Sequence, residues 1–309
     1  ASLTPVFLLI AAGYLAGRRQ WVRESAVRDL SNLVFLLLIP ALLFRTMSAV
    51  DVRALDLRPL LAYFPAALLL LGLSIAGRGF NRQSVVMALG GVFSNMVMIG
   101  ITLVELAYGK PALVTLLTLV SVHAMILLTV GSVVLELVVA KEAREGGERA
   151  PHVLETAWSA FKGALIHPIP LPIVCGLLYA QTGWGLPAVI DKPLQLLGSA
   201  FGPVALVLVG VTLARTPLRG HLGASLWITA SKNLLLPLLV GVSAWAWGIT
   251  GLPLTVMVVA AALPMGANVF LFAQRYEVAQ ALTTAAMGLS TVLALFTLSA
   301  VMLLMTYLN

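Results

Sequence analysis

Apolar residues along this chain come in continuous runs of about 20, separated by short polar segments. A run of that length matches an α-helix crossing the hydrocarbon core of a bilayer. A membrane β-barrel would show period-two alternation in segments of about ten residues instead. Ten runs stand out, at roughly 2–17, 31–49, 58–77, 84–107, 111–140, 163–182, 187–213, 223–248, 252–274 and 279–307. The pair Arg18-Arg19 follows the first run instead of preceding it, so that run reads as a retained helix and not as a signal peptide. The one long hydrophilic stretch runs from Lys141 to Lys162 and contains KEAREGGERAPH. It reads as a cytoplasmic linker (141–162) between two halves of five helices each, 1–140 and 163–309.

Composition narrows the class further. Of 309 residues, 60% are hydrophobic and only 10% charged, against about 25% charged in a typical soluble domain. That balance excludes a soluble enzyme, a disordered chain, a disulfide scaffold and a fibrous repeat. The formal charge of +7 would suggest a nucleic-acid partner in a soluble protein. Here the basic residues sit at helix ends, so none is expected. With the N-terminus outside, thirteen Lys and Arg fall in cytoplasmic loops and five in outer loops, and Lys232 lies inside the eighth run. The expectation is an all-α, multi-pass membrane protein, with both termini outside and the second half inverted relative to the first.

Inverted repeats leave weak internal likeness. Run two carries LLLIPALLF with Pro40, and run seven carries FGPVALVLVG with Pro203. Run four reads VVMALGGVFSNMVMIGITLVELAYG, and run nine reads TVMVVAAALPMGANVFLFAQRYE. In both, an aliphatic approach leads to a cluster of helix breakers, then an apolar run and a Tyr. The clusters are Gly90-Gly91, Ser94-Asn95 and Gly100 in run four, and Pro264, Met265, Gly266, Ala267 and Asn268 in run nine. Pro removes an amide donor and Gly loosens a helix, so each cluster predicts an unwound segment at mid-membrane. Matched interruptions in the two halves point to a transporter binding site. Half-helix N-termini offer free N–H groups and a positive dipole end, which suit a carboxylate.

The stretches SNMVMIGITLVELAYG and ALPMGANVFLFAQRYEV, the following LSTVLALFTL, and the opening GYLAGRRQWV…LSNLVFLLLIPALLF resemble the auxin efflux carrier family. That family includes the plant PIN-formed auxin carriers and bacterial carriers of malonate and malate. The resemblance covers essentially the whole chain. It implies ten transmembrane helices in two inverted five-helix repeats, with broken crossing helices 4 and 9, the fold of the sodium/bile-acid symporters. It further implies a scaffold of helices 1, 2, 6 and 7 and a mobile transport domain of helices 3–5 and 8–10. Asn95 matches the family asparagine that faces the substrate carboxylate, and Pro264 and Gly266 match the second break. The family often has proline after the glycine of the first motif, where this chain has Gly100-Ile101-Thr102.

The expected function is secondary transport of a small organic anion, a carboxylate such as malonate, malate or an auxin-like acid, by elevator-type alternating access. The substrate-site residues are Ser94, Asn95, Gly100, Lys232, Pro264, Met265, Gly266, Ala267 and Asn268, with Pro40 and Pro203 on the scaffold side. Lys232 has two readings: a side chain that snorkels to the cytoplasmic face, or a cation paired with substrate or crossover carbonyls. His123 is either a packing residue or a proton carrier, and Glu105 either a solvated end or a coupling group. No cofactor or metal site is expected, since His152 and His167 lack metal-like partners; H+ or Na+ coupling stays open. Partners are the substrate, the bilayer and a second copy through the scaffold. An anion channel and a transporter-like sensor are the alternatives. No HExxH, His–carboxylate cluster or nucleophile–base pair indicates an enzyme.

Overall fold

The computed structural model describes residues 4–51, 56–145, 158, 169–215 and 222–308. Among them every regular element is helical, apart from one isolated antiparallel bridge. The helices are α1 (Thr4–Arg18), α2 (Glu24–Leu33), α3 (Ile39–Met47), α4 (Arg58–Arg78), α5 (Arg82–Val92), α6 (Ile101–Tyr108) and α7 (Lys110–Glu145). The second half holds α8 (Pro170–Ala180), α9 (Ala188–Arg215), α10 (Leu222–Ala230), α11 (Leu236–Ala246), α12 (Gly251–Ala262), α13 (Asn268–Arg275) and α14 (Gln280–Leu308). Three π-helical turns, Val34–Leu38, Met96–Gly100 and Ser231–Leu235, join consecutive helices or lead into one. Among the described residues, six continuous helices are long and apolar enough to cross a membrane: Ser25–Met47, Arg58–Arg78, Lys110–Glu145, Ala188–Arg215, Leu222–Ala246 and Gln280–Leu308. The described part of the chain is thus all-helical and compatible with a membrane protein.

Two of the π turns have a local cause. Pro40 and Pro237 each stand two residues after one. A proline has no N–H for the carbonyl four residues earlier. The ladder widens instead: the Ile39 N–H donates to Val34 and the Leu236 N–H to Ser231, each five residues back.

Boundaries differ from the hydropathy reading in two places. The second helical run begins at Glu24, seven residues before the expected start. Its opening, ESAVRDLSNL, is amphipathic, and a hydropathy scan sees only its charges. Helix α7 continues to Glu145, into the stretch expected as linker. There Arg82 pairs with Glu142 at 2.5 Å. His152, His167 and most of 141–162 lie outside the described residues.

The chain divides into two compact units. The first comprises Ala1–Leu57, Met96–Ser121 and Ile166–Thr216. Within it α1 packs on α9, and α3 packs on α8 and α9. Small residues set these approaches, as expected where lipid tails leave little hydrophobic drive between helices. A Cβ on Gly13 would overlap the Val207 backbone, and one on Gly210 would overlap the Ile10 carbonyl. Gly176 meets Phe44 and Met47 in the same way, and Gly198 meets Leu42. Arg45 on α3 holds Asp191 on α9 through Nε and Nη2, at 2.6 and 3.1 Å.

The second unit comprises Arg58–Asn95, Val122–Leu165 and Pro217–Asn309. Its centre is formed by α5 and α12. Every residue from Ser84 to Val92 is buried, and so is every residue from Thr255 to Ala262. Helices α4, α11 and α14 pack around them. Ser243 on α11 donates to the Ala62 carbonyl on α4 at 2.8 Å. The start of α5 is capped: the Asn81 side chain accepts from the Ser84 N–H at 2.9 Å.

The glycine contacts predict a graded response. Gly210→Ala has no space for its methyl group and is expected to destabilise by about 1–3 kcal/mol. Gly72→Ala, which faces open space, is expected to be neutral. Thermal unfolding midpoints of both variants in detergent check this.

Candidate functional site

The two breaker clusters each interrupt a helix. Helix α5 ends at Val92, and the chain runs extended through Phe93, Ser94 and Asn95 before the Met96–Gly100 turn leads into α6. Helix α12 ends at Ala262, and α13 begins at Asn268. The second break has a local cause. A residue before proline is pushed out of the helical region, and Leu263 has φ −57 and ψ 151. The first break contains no proline. Phe93, at φ −85 and ψ 103, is held extended by its partner strand instead.

That partner is the second break. Ser94 and Met265 face each other as an antiparallel bridge. The Asn95 N–H donates to the Pro264 carbonyl at 2.8 Å, and the Gly266 N–H donates to the Phe93 carbonyl at 2.8 Å. Two bonds thus satisfy four backbone groups released by the interruptions, in a setting where each unsatisfied one costs several kcal/mol. A Cβ on Gly266 would sit 3.1 Å from the Phe93 ring and 3.2 Å from the Ser94 carbonyl oxygen, so the strands meet where a side chain is absent.

Side chains from neighbouring helices complete the accounting. Ser290 Oγ on α14 accepts from the Met265 N–H at 3.0 Å and donates to Asn233 Oδ1 at 2.7 Å. Asn233 Nδ2 returns a bond to the Ser290 carbonyl at 3.0 Å. The Tyr63 hydroxyl on α4 lies 3.2 Å from Ser94 Oγ. Lys232 is fully buried, and its ammonium donates to the Ala261 carbonyl at the C-terminal end of α12. A cation there complements the negative end of the helix dipole. The π turn at Ser231–Leu235 presents Lys232 and Asn233, adjacent in sequence, to the interior together.

Burial divides the crossover into a closed side and an open edge. Ser94, Pro264, Met265 and Gly266 are buried. Asn95 and Asn268 are half-buried, and Ala267 is exposed. The open edge therefore carries two carboxamides and the start of α13. The N-cap position of α13 is Ala267, which makes no side-chain cap. Behind the first break, His123 is 4% exposed and packs edge-on against Phe93, with ring centroids 4.7 Å apart. Tyr63 and Phe64 flank it. Among the described residues its Nε2 has no hydrogen-bond partner.

The expected site residues are thus distributed as follows. The second unit brings together Ser94, Asn95, Pro264, Met265 and Gly266 through the bridge, with Ala267 and Asn268 following, Lys232 at the end of α12 and His123 against Phe93. Gly100, Glu105, Pro40 and Pro203 belong to the first unit. Gly100 is buried at the end of its π turn, five residues beyond the first break. Glu105 lines a cavity of about 660 Å³ together with Arg45, Asp51, Lys110 and Asp191. Among the described residues no group of three His, Cys, Asp or Glu gathers to hold a metal.

Sequence reasoning missed Ser290, Asn233 and Tyr63 as parts of this centre. A serine or a tyrosine in an apolar run carries no signal of its own.

A family model described as "Membrane transport protein" matches residues 1–302. The chain belongs to this family, the auxin efflux carriers. This transporter is also similar to a curated protein of Rhizobium meliloti (strain 1021) named "Putative malonate transporter". The two are 26% identical over 97% of this chain and 93% of the relative. The transporter is therefore an integral, multi-pass membrane protein, with the crossover as its candidate site.

The Ser290–Asn233 pair gives a test of this centre. Ser290→Ala strips a partner from the buried Met265 N–H and is expected to destabilise by about 1–3 kcal/mol. Asn233→Ala breaks the same network. The double variant is expected to lose less than the two single losses combined, with a coupling of about 0.5–3 kcal/mol. Thermal unfolding of the four proteins measures the cycle.

Proposed function

We propose that this transporter is a secondary carrier of a small carboxylate, with malonate as the first candidate. The observation that carries the reading is the bridged pair of helix breaks with its open edge of Asn95, Ala267 and Asn268. The bridge uses the backbone groups that face each other. The carboxamides of Asn95 and Asn268 lie at this edge, beside the positive end of the α13 dipole, where a carboxylate would meet them. A carboxylate takes several donors at once, and neutral amides supply them with no charge to desolvate. Lys232 places its amine at the α12 terminus, on the buried side of the same centre. The name of the Rhizobium relative supports malonate as the substrate to try first.

The mechanism we favour is elevator-type alternating access on the ten-helix inverted-repeat fold, with both termini outside the inner membrane. A transport domain of helices 3–5 and 8–10 carries the crossover from one face of the membrane to the other. The scaffold of helices 1, 2, 6 and 7 carries Pro40 and Pro203, and it is the surface through which a homodimer would form. The partition supports this division in part: α1, α2, α3, α8 and α9 fall in one compact unit, and α4 with α10–α14 in the other. Residues 96–121, from the fourth and fifth helical runs, fall with the former.

The test is Asn95→Ala. It removes one carboxamide from the open edge and leaves the backbone bridge, whose Asn95 donor is the main-chain N–H. Malonate is expected to raise the unfolding midpoint of the wild-type protein and not that of the variant. Uptake of labelled malonate into proteoliposomes should fall by tenfold or more, about 1.4 kcal/mol of binding. If stabilisation and uptake both survive, the site assignment is wrong. Repeating the shift with and without sodium, at two pH values, reads the coupling ion.

A further inference from the structure

The first unit contains a second concentration of charge, remote in sequence from the crossover. Helices α1 and α9 run side by side in the same direction: Ile10 and Gly13 meet Gly210, and Gly17 meets Val211 and Ala214. Their C-terminal ends therefore lie together. Each ends in a basic residue, Arg18 on α1 and Arg215 on α9. The chain leaves α1 through Gln20 in the left-handed region, at φ 58. The Gln20 and Trp21 N–H groups cap the Gly17 and Ala16 carbonyls. This tight exit turns the strand back across the end of α9, where Arg215 donates to the Val22 carbonyl.

The result is a pocket of about 550 Å³ lined by Gly17, Arg18, Gln20, Arg23, Ala214 and Arg215. Three arginines line it, and among the described side chains no carboxylate does. Among the described side chains, none of the three is paired with an acid. Two helix C-termini contribute about half a negative charge each, which leaves about two positive charges uncompensated. The contrast with the 660 Å³ cavity of the same unit is direct. There Arg45 and Lys110 share the wall with Asp51, Glu105 and Asp191, and Arg45 is held by Asp191.

An all-arginine pocket favours a phosphate group, because planar guanidinium forks grip two oxygens at once. Its surroundings favour a lipid over a soluble phosphate. Helix α1 leads to it with Leu8 and Leu15 exposed, at 64% and 47%, and Trp21 stands 71% exposed at its exit. An apolar surface ending in Arg and Trp is the pattern of a helix leaving the hydrocarbon at the headgroup level. We propose that this pocket binds the phosphate headgroup of an anionic phospholipid, whose acyl chains lie along the exposed side of α1.

Native mass spectrometry of the full-length transporter in detergent tests this with phosphatidylglycerol and phosphatidylethanolamine as probes. The wild-type protein is expected to retain phosphatidylglycerol in preference. Each removed guanidinium should weaken retention by about fivefold, so Arg18→Gln with Arg23→Gln should weaken it by about 25-fold. That pair leaves the Arg215–Val22 bond in place. Arg23→Gln alone, outside the helix interiors, supplies the fivefold step should the double variant not purify. Arg78→Gln, in the second unit, should behave as wild type. Equal retention of the two lipids, or unchanged phosphatidylglycerol binding in the arginine variants, would overturn the proposal. So would displacement of the lipid by millimolar inorganic phosphate or malonate, which would assign the pocket to a free anion.

Discussion

The structure of the second unit depends on one constraint: a backbone interrupted in an apolar interior must still have its polar groups satisfied. Two broken helices meet that constraint by pairing with each other. Phe93 and Asn95 exchange bonds with Gly266 and Pro264, so each break supplies what the other lacks. Neither interruption would be tolerable alone at that depth. Proline at 264 forces one break and presents its carbonyl. The extended Phe93-Ser94-Asn95 segment answers it. Glycine at 266 lets the strands approach.

The rest of the unit is arranged around this bridge. Helices α5 and α12 are buried along nearly their whole length, so the interruption sits at the end of the two most enclosed elements. Ser290 takes the amide between the two bridge bonds, Asn233 fixes Ser290, and Lys232 takes a terminal carbonyl of α12. Each of these polar groups has a partner, which makes the network rigid and expensive to disturb. Rigidity on the closed side leaves the open edge as the place where a ligand can be met. In the proposed site the rigid closed side holds the open edge in shape before substrate arrives, and little ordering would remain to oppose binding.

The first unit solves a different problem. Its helices approach through glycine, at Gly13, Gly176, Gly198 and Gly210, where backbone meets backbone. Such contacts are intolerant of added bulk, which suits a unit that holds its shape. The same close approach brings two helix termini and three arginines to one end, so the lipid-facing chemistry proposed there follows from the packing.

Much of this was legible in the sequence. Apolar runs of bilayer length pointed to an all-helical membrane chain, and the Ser94-Asn95 and Pro264–Asn268 clusters marked where helices break; the cause is local at Pro264, whereas Gly90-Gly91 stays inside α5. Asn95 and Asn268 stood out for the same reason that makes them useful: polar side chains are rare in an apolar background. The amphipathic start at Glu24 escaped a reading based on mean hydropathy. What sequence could not supply was pairing. That Phe93 would bond to Gly266, that Lys232 would turn inward to Ala261 and not outward to solvent, and that Ser290 would serve Met265 are long-range facts. Residues separated by 25 to more than 170 positions meet only after the helices pack. Local chemistry at Pro264 decided that one segment could not remain helical. Tertiary structure decided how the groups released at the two breaks would be satisfied, since hydrogen bonds in a dry interior go to whatever partner the fold brings within reach.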